Sequence, residues 1–386
     1  MAGDSLNARH GGNLAAVARE LGQAPVALLD ASASLVPFGP SARLRLEVAL
    51  AALGWPLRTY PDRELHTLRQ VIAAHHGVDP AWVLPGNGAA ELFTWAARDA
   101  AAAGVSLLPT PGFADYPRAL ACWGGAWEPM PLPLQWGEAF PQGFSVAQQA
   151  VAQQAVAQQA VALWLTNPHN PTGQLWSRAS IEPLLERFAL VICDEAFLPL
   201  TPPGLGEPQS LIPLLERHPN LVVIRSLTKL HAIAGLRLGY ALGDPDRLQR
   251  WAAWRDPWPI NGLAAVAGEA LLADPRRAQR WQARVARWVD EEGAWLHRAL
   301  GVIPGLAPLP SATNFLLVRG VARDGGALDL VAVREALQRQ HGILLRDCRA
   351  FAGLDGSWLR IGLQGRRANG RIAQALARQL SAAPKR

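Results

Sequence analysis

The chain carries 37 basic residues, and only two of them, Lys229 and Lys385, are lysines. Lys385 stands in a Pro-Lys-Arg tail, so the body of the chain holds a single lysine. Arginine serves as well as lysine for surface charge, but its guanidinium stays protonated and cannot become a free amine nucleophile. A composition that replaces lysine almost everywhere else marks Lys229 as a residue kept for amine chemistry. The natural use is an imine with a carbonyl cofactor or substrate. A chance survivor would look the same from composition alone, so the neighbours decide.

Lys229 ends Arg225-Ser226-Leu227-Thr228-Lys229, and Arg237 follows eight residues later in Gly235-Leu236-Arg237-Leu238-Gly239-Tyr240. Upstream, Val191-Ile192-Cys193-Asp194 puts a carboxylate at the end of an apolar run. Asn167-Pro168-His169-Asn170-Pro171-Thr172-Gly173 is built from turn residues. Gly86-Asn87-Gly88-Ala89-Ala90-Glu91 opens a helix and offers bare N–H groups to an anion. Singly, each piece has a plain structural use: Asp194 as a cap, Asn170 and Gly173 as turn formers, Gly88 as a helix start. Together, lysine, carboxylate and anion-binding helix start are the groups a pyridoxal phosphate enzyme requires. The lysine binds the aldehyde, the carboxylate keeps the pyridine nitrogen protonated, and the helix start with Arg237 holds the phosphate.

Elements must bring these residues together. Apolar runs at 105–108, 161–166, 190–193 and 221–225 read as buried strands, with helices at 89–103 and 180–188 between them. Such alternation predicts an α/β fold with a mostly parallel sheet whose working residues gather at the strands' carboxyl ends. From Asn261 the pattern changes to a long helix near 275–300, short strands at 314–318, 343–345 and 359–361, and helices at 331–341 and 369–380. The expected organisation is an arm over 1–40, a large cofactor-binding domain over 41–262 and a smaller α/β domain over 263–386. Within the large domain, 146–160 is three copies of VAQQA. A five-residue step advances about 140° around a helix, so the valines line no single face. The tract reads as a tolerated surface insertion.

Half of the 386 residues are hydrophobic, enough for a large core. The net charge of +6 does not imply nucleic acid binding, because the arginines are interspersed with Glu and Asp. The densest group, Arg276, Arg277, Arg280, Arg284 and Arg287, falls at helical spacing around Trp281, Val285 and Trp288, which predicts a solvated helix face. Three scattered cysteines form neither a metal site nor a disulfide framework, as expected in the cytoplasm. No apolar run suggests a signal peptide or a membrane span.

The series PTPGFADY, NPHNPTG, DEAF, RSLTK and GLRLGY, in this order, resembles the fold type I pyridoxal phosphate enzymes of the aspartate aminotransferase superfamily. Within it, His10-Gly11-Gly12-Asn13, Tyr60-Pro61-Asp62, Asp194-Glu195-Ala196-Phe197 and the Lys229 segment resemble the L-threonine O-3-phosphate decarboxylases of cobalamin synthesis, relatives of the histidinol-phosphate aminotransferases. The resemblance implies that Phe113 stacks on the cofactor ring, that Asn170 hydrogen-bonds its 3′ oxygen and that Asp194 pairs with its nitrogen. Gly88, Ala89, Ser226 and Arg237 would bind its phosphate, and Tyr60 would reach the neighbouring site of a homodimer. Arg360 would take the substrate α-carboxylate, and Arg346 with His10 the substrate phosphate. Two departures stand out. Phe197 occupies a position where many aminotransferases carry tyrosine, and Ser34 and Val36 stand where relatives tend to have asparagines. Two rivals follow: an aminotransferase acting on histidinol phosphate, and an effector-sensing regulator. The regulator is expected to carry a helix-turn-helix domain ahead of a family-like part that here begins by His10.

Overall fold

The computed structural model describes residues 11–134, 136–141 and 161–382. His10 and the VAQQA tract lie outside them. Among the described residues the strands are β1 (Leu29–Ala31), β2 (Val83–Asn87), β3 (Val105–Thr110), β4 (Trp127–Pro131), β5 (Val161–Thr166), β6 (Leu190–Asp194), β7 (Leu221–Ser226), β8 (Leu238–Gly243), β9 (Leu306–Pro308), β10 (Phe315–Gly320), β11 (Ile343–Asp347) and β12 (Trp358–Gly362). They form two sheets. The larger has the order β2-β8-β7-β6-β5-β3-β4, and only β8 runs against its neighbours.

Every residue of β5, β6 and β7 is buried, which is why these strands read as continuous apolar runs and not as alternating ones. The helix Gly88–Ala103 covers one face, burying Leu92, Phe93, Ala96, Ala97 and Ala100 along one stripe. On the other face, residues of Gly262–Leu272 pack with Leu68, Ile72 and the inward side chains of β5 to β8. The fold is therefore the mostly parallel α/β architecture expected. One element differs: the helix expected at 180–188 is a turn, Arg178–Ile181, followed by a 3₁₀ segment, Glu182–Glu186. Pro183 explains this, since it has no N–H to donate and its ring clashes with the preceding turn.

The smaller sheet has the order β1-β11-β12-β10-β9. Its first strand comes from the N-terminal segment and pairs in parallel with β11, Leu29 opposite Ile343. Against this sheet lies the helix Pro275–Gly301, which buries Val285, Val289, Leu296 and Leu300. Arg276, Arg280, Arg284 and Arg287 are exposed on it, as the spacing predicted. The smaller sheet's apolar cluster extends to Val36, Phe197 and Leu230, next to the carboxylate and lysine singled out above. No helix of the described residues is long and apolar enough to cross a membrane.

Candidate active site

Parallel strands deliver their carboxyl ends to one edge of a sheet. Here that edge receives Asn87 and Gly88 after β2, Phe113 after β3, Asn170 after β5, Asp194 at the end of β6, and Ser226 with Lys229 after β7. Arg237 joins them because β8 is antiparallel and starts at this edge.

Lys229 lies in a one-turn helix, Leu227–His231, capped by the Ser226 hydroxyl. Its Nζ lies 5.3 Å from the centre of the Phe197 ring. Burial lowers the Lys229 pKa against the pull of Asp194, and the positive charges of Arg237 and Arg360 lower it further. The Asp194 carboxyl is raised by burial, against the opposing effects of Lys229, the Ala196 N–H and the Tyr116 hydroxyl. Both charges are thus disfavoured, the condition under which a lysine is a neutral amine. Asp194 accepts from Ala196 N–H at 2.9 Å and from Tyr116 O–H at 2.8 Å. Tyr116 in turn shares a hydrogen bond of 2.7 Å with Thr166. Tyr116 is missing from the residues singled out by sequence, although it ends the series PTPGFADY.

The helix start beside Lys229 is shaped as a cradle. Gly88 has φ +72, and a Cβ there would lie 2.6 Å from Arg237 Nη2, so only glycine leaves the guanidinium its place. Arg237 itself has φ 57 and is exposed at the head of β8. Ala89 and Ser226 are buried beside it. Phe113 is partly buried, edge-on to Tyr116 at 5.6 Å. Amine, carboxylate, aromatic face and anion cradle form a donor set that fits a phosphorylated pyridine aldehyde.

Arg346 and Arg360 are directly opposed on β11 and β12, so their side chains share one face. Both are buried, at 5% and 7% exposure. Arg360 donates to Asn170 Oδ1 and to the carbonyl of Ser32, neither of which is a carboxylate, and its Nε has no partner among the described residues. Burial and the neighbouring Arg346 push its pKa down to about 10. Burial likewise lowers Arg346, whose guanidinium lies 5.3 Å from the Phe351 ring that Arg360 also approaches, at 5.8 Å. Two desolvated cations side by side could hold anionic oxygens, which would relieve both. A cavity of about 1180 Å³ opens here, lined by Gly11, Gly12, Phe113, Tyr116 and Arg346 among others.

Tyr60 stands apart from this group. It is 77% exposed and stacks on Trp258 at 4.4 Å. In the arm, Ser32 contributes a backbone carbonyl to Arg360, and Ser34 Oγ is buried without a partner.

With this geometry in place, the comparisons with known proteins agree on the class. The family "Aminotransferase class I and II" matches residues 29–376. The chain is 34% identical over 381 residues to the threonine-phosphate decarboxylase of Salmonella typhimurium, covering 96% of both chains. It is 33% identical to a histidinol-phosphate aminotransferase of Symbiobacterium thermophilum, covering 93% of this chain and 92% of that one. Among solved structures it resembles the histidinol-phosphate aminotransferase from Sinorhizobium meliloti in complex with pyridoxal-5′-phosphate, with TM-score 0.79, 26% identity and coverage of 95% and 94%. This chain belongs to the class I and II aminotransferase family.

Proposed function

We propose that the protein is a pyridoxal phosphate-dependent carboxy-lyase that removes the α-carboxylate of L-threonine O-3-phosphate. The products are carbon dioxide and (R)-1-amino-2-propanol O-phosphate, the latter used in cobalamin biosynthesis. The observation that carries this reading is the buried pair Arg346 and Arg360, opposed on adjacent strands and sharing one aromatic floor. Such a pair suits a small substrate with two anionic groups close together.

The cofactor is pyridoxal 5′-phosphate, which when bound supplies an electron sink for the pair released as a bond to Cα breaks. Lys229 would hold it through Nζ, the amine that burial and neighbouring cations hold below its ordinary pKa. Asp194, whose carboxylate accepts from Tyr116 and Ala196, would pair with the ring nitrogen. Phe113 covers the ring, and Asn170 meets its 3′ oxygen. Gly88, Ala89, Ser226 and Arg237 hold its phosphate. Arg360 grips the α-carboxylate, while Arg346 and His10 take the substrate phosphate. Gripping both ends would fix the torsion at Cα and so select which of its bonds is weakened.

The reading includes an arm over 1–40, a large domain over 41–262, a small domain over 263–386 and a homodimer in which Tyr60 reaches the neighbouring site. Support for a second copy comes from Leu46, Leu50 and Leu53, which line one face of the helix Ala42–Leu53 at 59%, 59% and 86% exposure beside Trp55 at 70%. A cytoplasmic setting accords with Cys122, Cys193 and Cys348, all free thiols.

A second reading, a histidinol-phosphate aminotransferase, is favoured by relatives of that kind at similar identity. One assay separates the two. L-Threonine O-3-phosphate should release stoichiometric carbon dioxide with no 2-oxoacid added, since the cofactor returns unchanged from each turnover. Amino transfer from histidinol phosphate that depends on 2-oxoglutarate, with no carbon dioxide from the threonine ester, would establish the second reading instead.

A further inference from the structure

The helix bearing Lys229 is a single turn, too short to hold its shape by its own hydrogen bonds. Its last carbonyls would otherwise be orphans; Thr228 and Lys229 are met partly by the residues just after the helix, and Lys229 and Leu230 also by distant segments. Thr228 O accepts from Ile233 N–H at 3.0 Å, and Lys229 O accepts from Val36 N–H of the arm at 3.3 Å. Leu230 O accepts from the indole N–H of Trp281 at 2.9 Å. Trp281 belongs to the long helix Pro275–Gly301, which packs on the other sheet. Its ring also stacks on His231, with centres 5.9 Å apart and planes at 21°. Phe38 meets Trp281 edge-on at 5.6 Å from the arm. The indole thus binds the peptide after Lys229 and the side chain after that, while anchored to a rigid helix.

We propose that Trp281 is a positioning residue for Lys229, acting through the Leu230 carbonyl and the His231 ring. It couples the long helix to the site by fixing the one turn that aims Nζ. His231 is held to about 3 by burial, so it stays neutral at working pH and the stack does not titrate. The charges facing Lys229 include Asp194, Asp115, Arg237 and Arg360, whereas among the described residues the Trp281 ring meets Leu230, His231, Phe38 and Arg284. A change at Trp281 therefore alters where Lys229 sits among these charges without altering the charges.

The same helix supplies a control. Trp288 donates its indole N–H to Gln364 O at 3.1 Å and meets Phe38 at 5.6 Å, the same kind of bond and contact, and among the described residues it makes no hydrogen bond or ring contact with the Lys229 turn itself. The proposal rests on Lys229 being the reacting amine, which borohydride labelling tests separately. Its own test uses the full chain, stripped of cofactor and labelled with ¹⁵N at the lysine side chains. Two signals result, with Lys385 as internal reference. Trp281→Phe keeps a ring but removes the donor. It should raise the Lys229 titration midpoint by about half a unit toward the ordinary value as the turn loosens and water enters. In the loaded enzyme it should lower kcat by about tenfold with KM little changed. Trp288→Phe should move neither. If Trp281→Phe does not fold, Trp281→Leu, which also lacks a donor, carries the same expectation. A Lys229 midpoint within about 0.1 unit of the parent in the folded Trp281 variant, or an equal shift in Trp288→Phe, would overturn the proposal.

Discussion

Asp194 and Glu195 are adjacent and both buried, yet their surroundings are opposite in kind. Glu195 is closed off: its carboxylate takes Arg225 Nε at 2.8 Å, Ser210 Oγ at 2.9 Å and Leu211 N–H at 2.7 Å. Arg225 is equally engaged, forking onto both oxygens of Glu207 at 3.0 and 3.1 Å. Across the strand end, Asp194 has only neutral donors, Lys229 is pushed toward its neutral form, and Arg360 has a buried Nε with no partner among the described residues. In one cluster every charge has an opposite partner, and every guanidinium nitrogen of Arg225 donates. The other is electrostatically incomplete, and its partners Tyr116 and Ser32 line a cavity. Saturation marks the group that holds the strands together, and incompleteness marks the group awaiting a ligand.

The contrast should break most sharply under paired substitutions. Asp194→Ala should lower kcat by about a thousandfold or more while the melting temperature moves little. Glu195→Ala should do the reverse, costing about 3 kcal/mol of stability by denaturant titration, because Arg225 keeps only Glu207 and a buried hydroxyl. A kcat loss of less than about tenfold in Asp194→Ala would reduce that residue to a turn former.

Next in size is the arginine pair. Arg346→Gln should cut kcat/KM for the phosphorylated substrate by about a hundredfold, the equivalent of one charge-assisted contact, and leave the weak activity on threonine almost unchanged. Equal losses on both substrates would place the phosphate elsewhere.

The saturated cluster gives a smaller, pH-dependent effect. Burial resists ionisation of Glu207, but Arg225 outweighs it and holds the carboxyl at about 2, below the ordinary 4.5. A depressed folded pKa stabilises above 4.5 and is lost as the pH falls toward 2. Glu207→Gln should therefore lower the melting temperature at neutral pH and flatten its fall in that acid window. An unchanged acid limb would show that Glu207 contributes nothing. Smallest of all, removing one VAQQA copy should leave both kcat and melting temperature where they were.

How much of this was legible from sequence depends on the range of the interaction. Strand ends were legible because burial on both faces leaves continuous apolar runs such as Val161–Thr166, and a polar residue terminating one is conspicuous. Gly88 announced itself through a local backbone need, a glycine opening a helix, whereas Ser226 was visible only through the family resemblance. Pro183 also carried a local signal, and the helix expected across it should have been broken there. Partnerships between distant segments left no such trace. Arg360 with Asn170, Arg346 opposite Arg360, and Trp281 on Leu230 join residues far apart in the chain, and their geometry exists only after the sheets form. Tyr116 is intermediate, visible as the end of a series but not as the partner of Asp194.

The central claim is that the incomplete cluster is a reaction centre built on Lys229, and the chain's composition makes it directly testable. The purified protein should be yellow, lose that colour on borohydride treatment, and yield a pyridoxyl label on the peptide containing Lys229. With Lys385 the only other lysine, the assignment is nearly unambiguous. Label on Lys385, or no bound cofactor in a folded protein, would contradict the account.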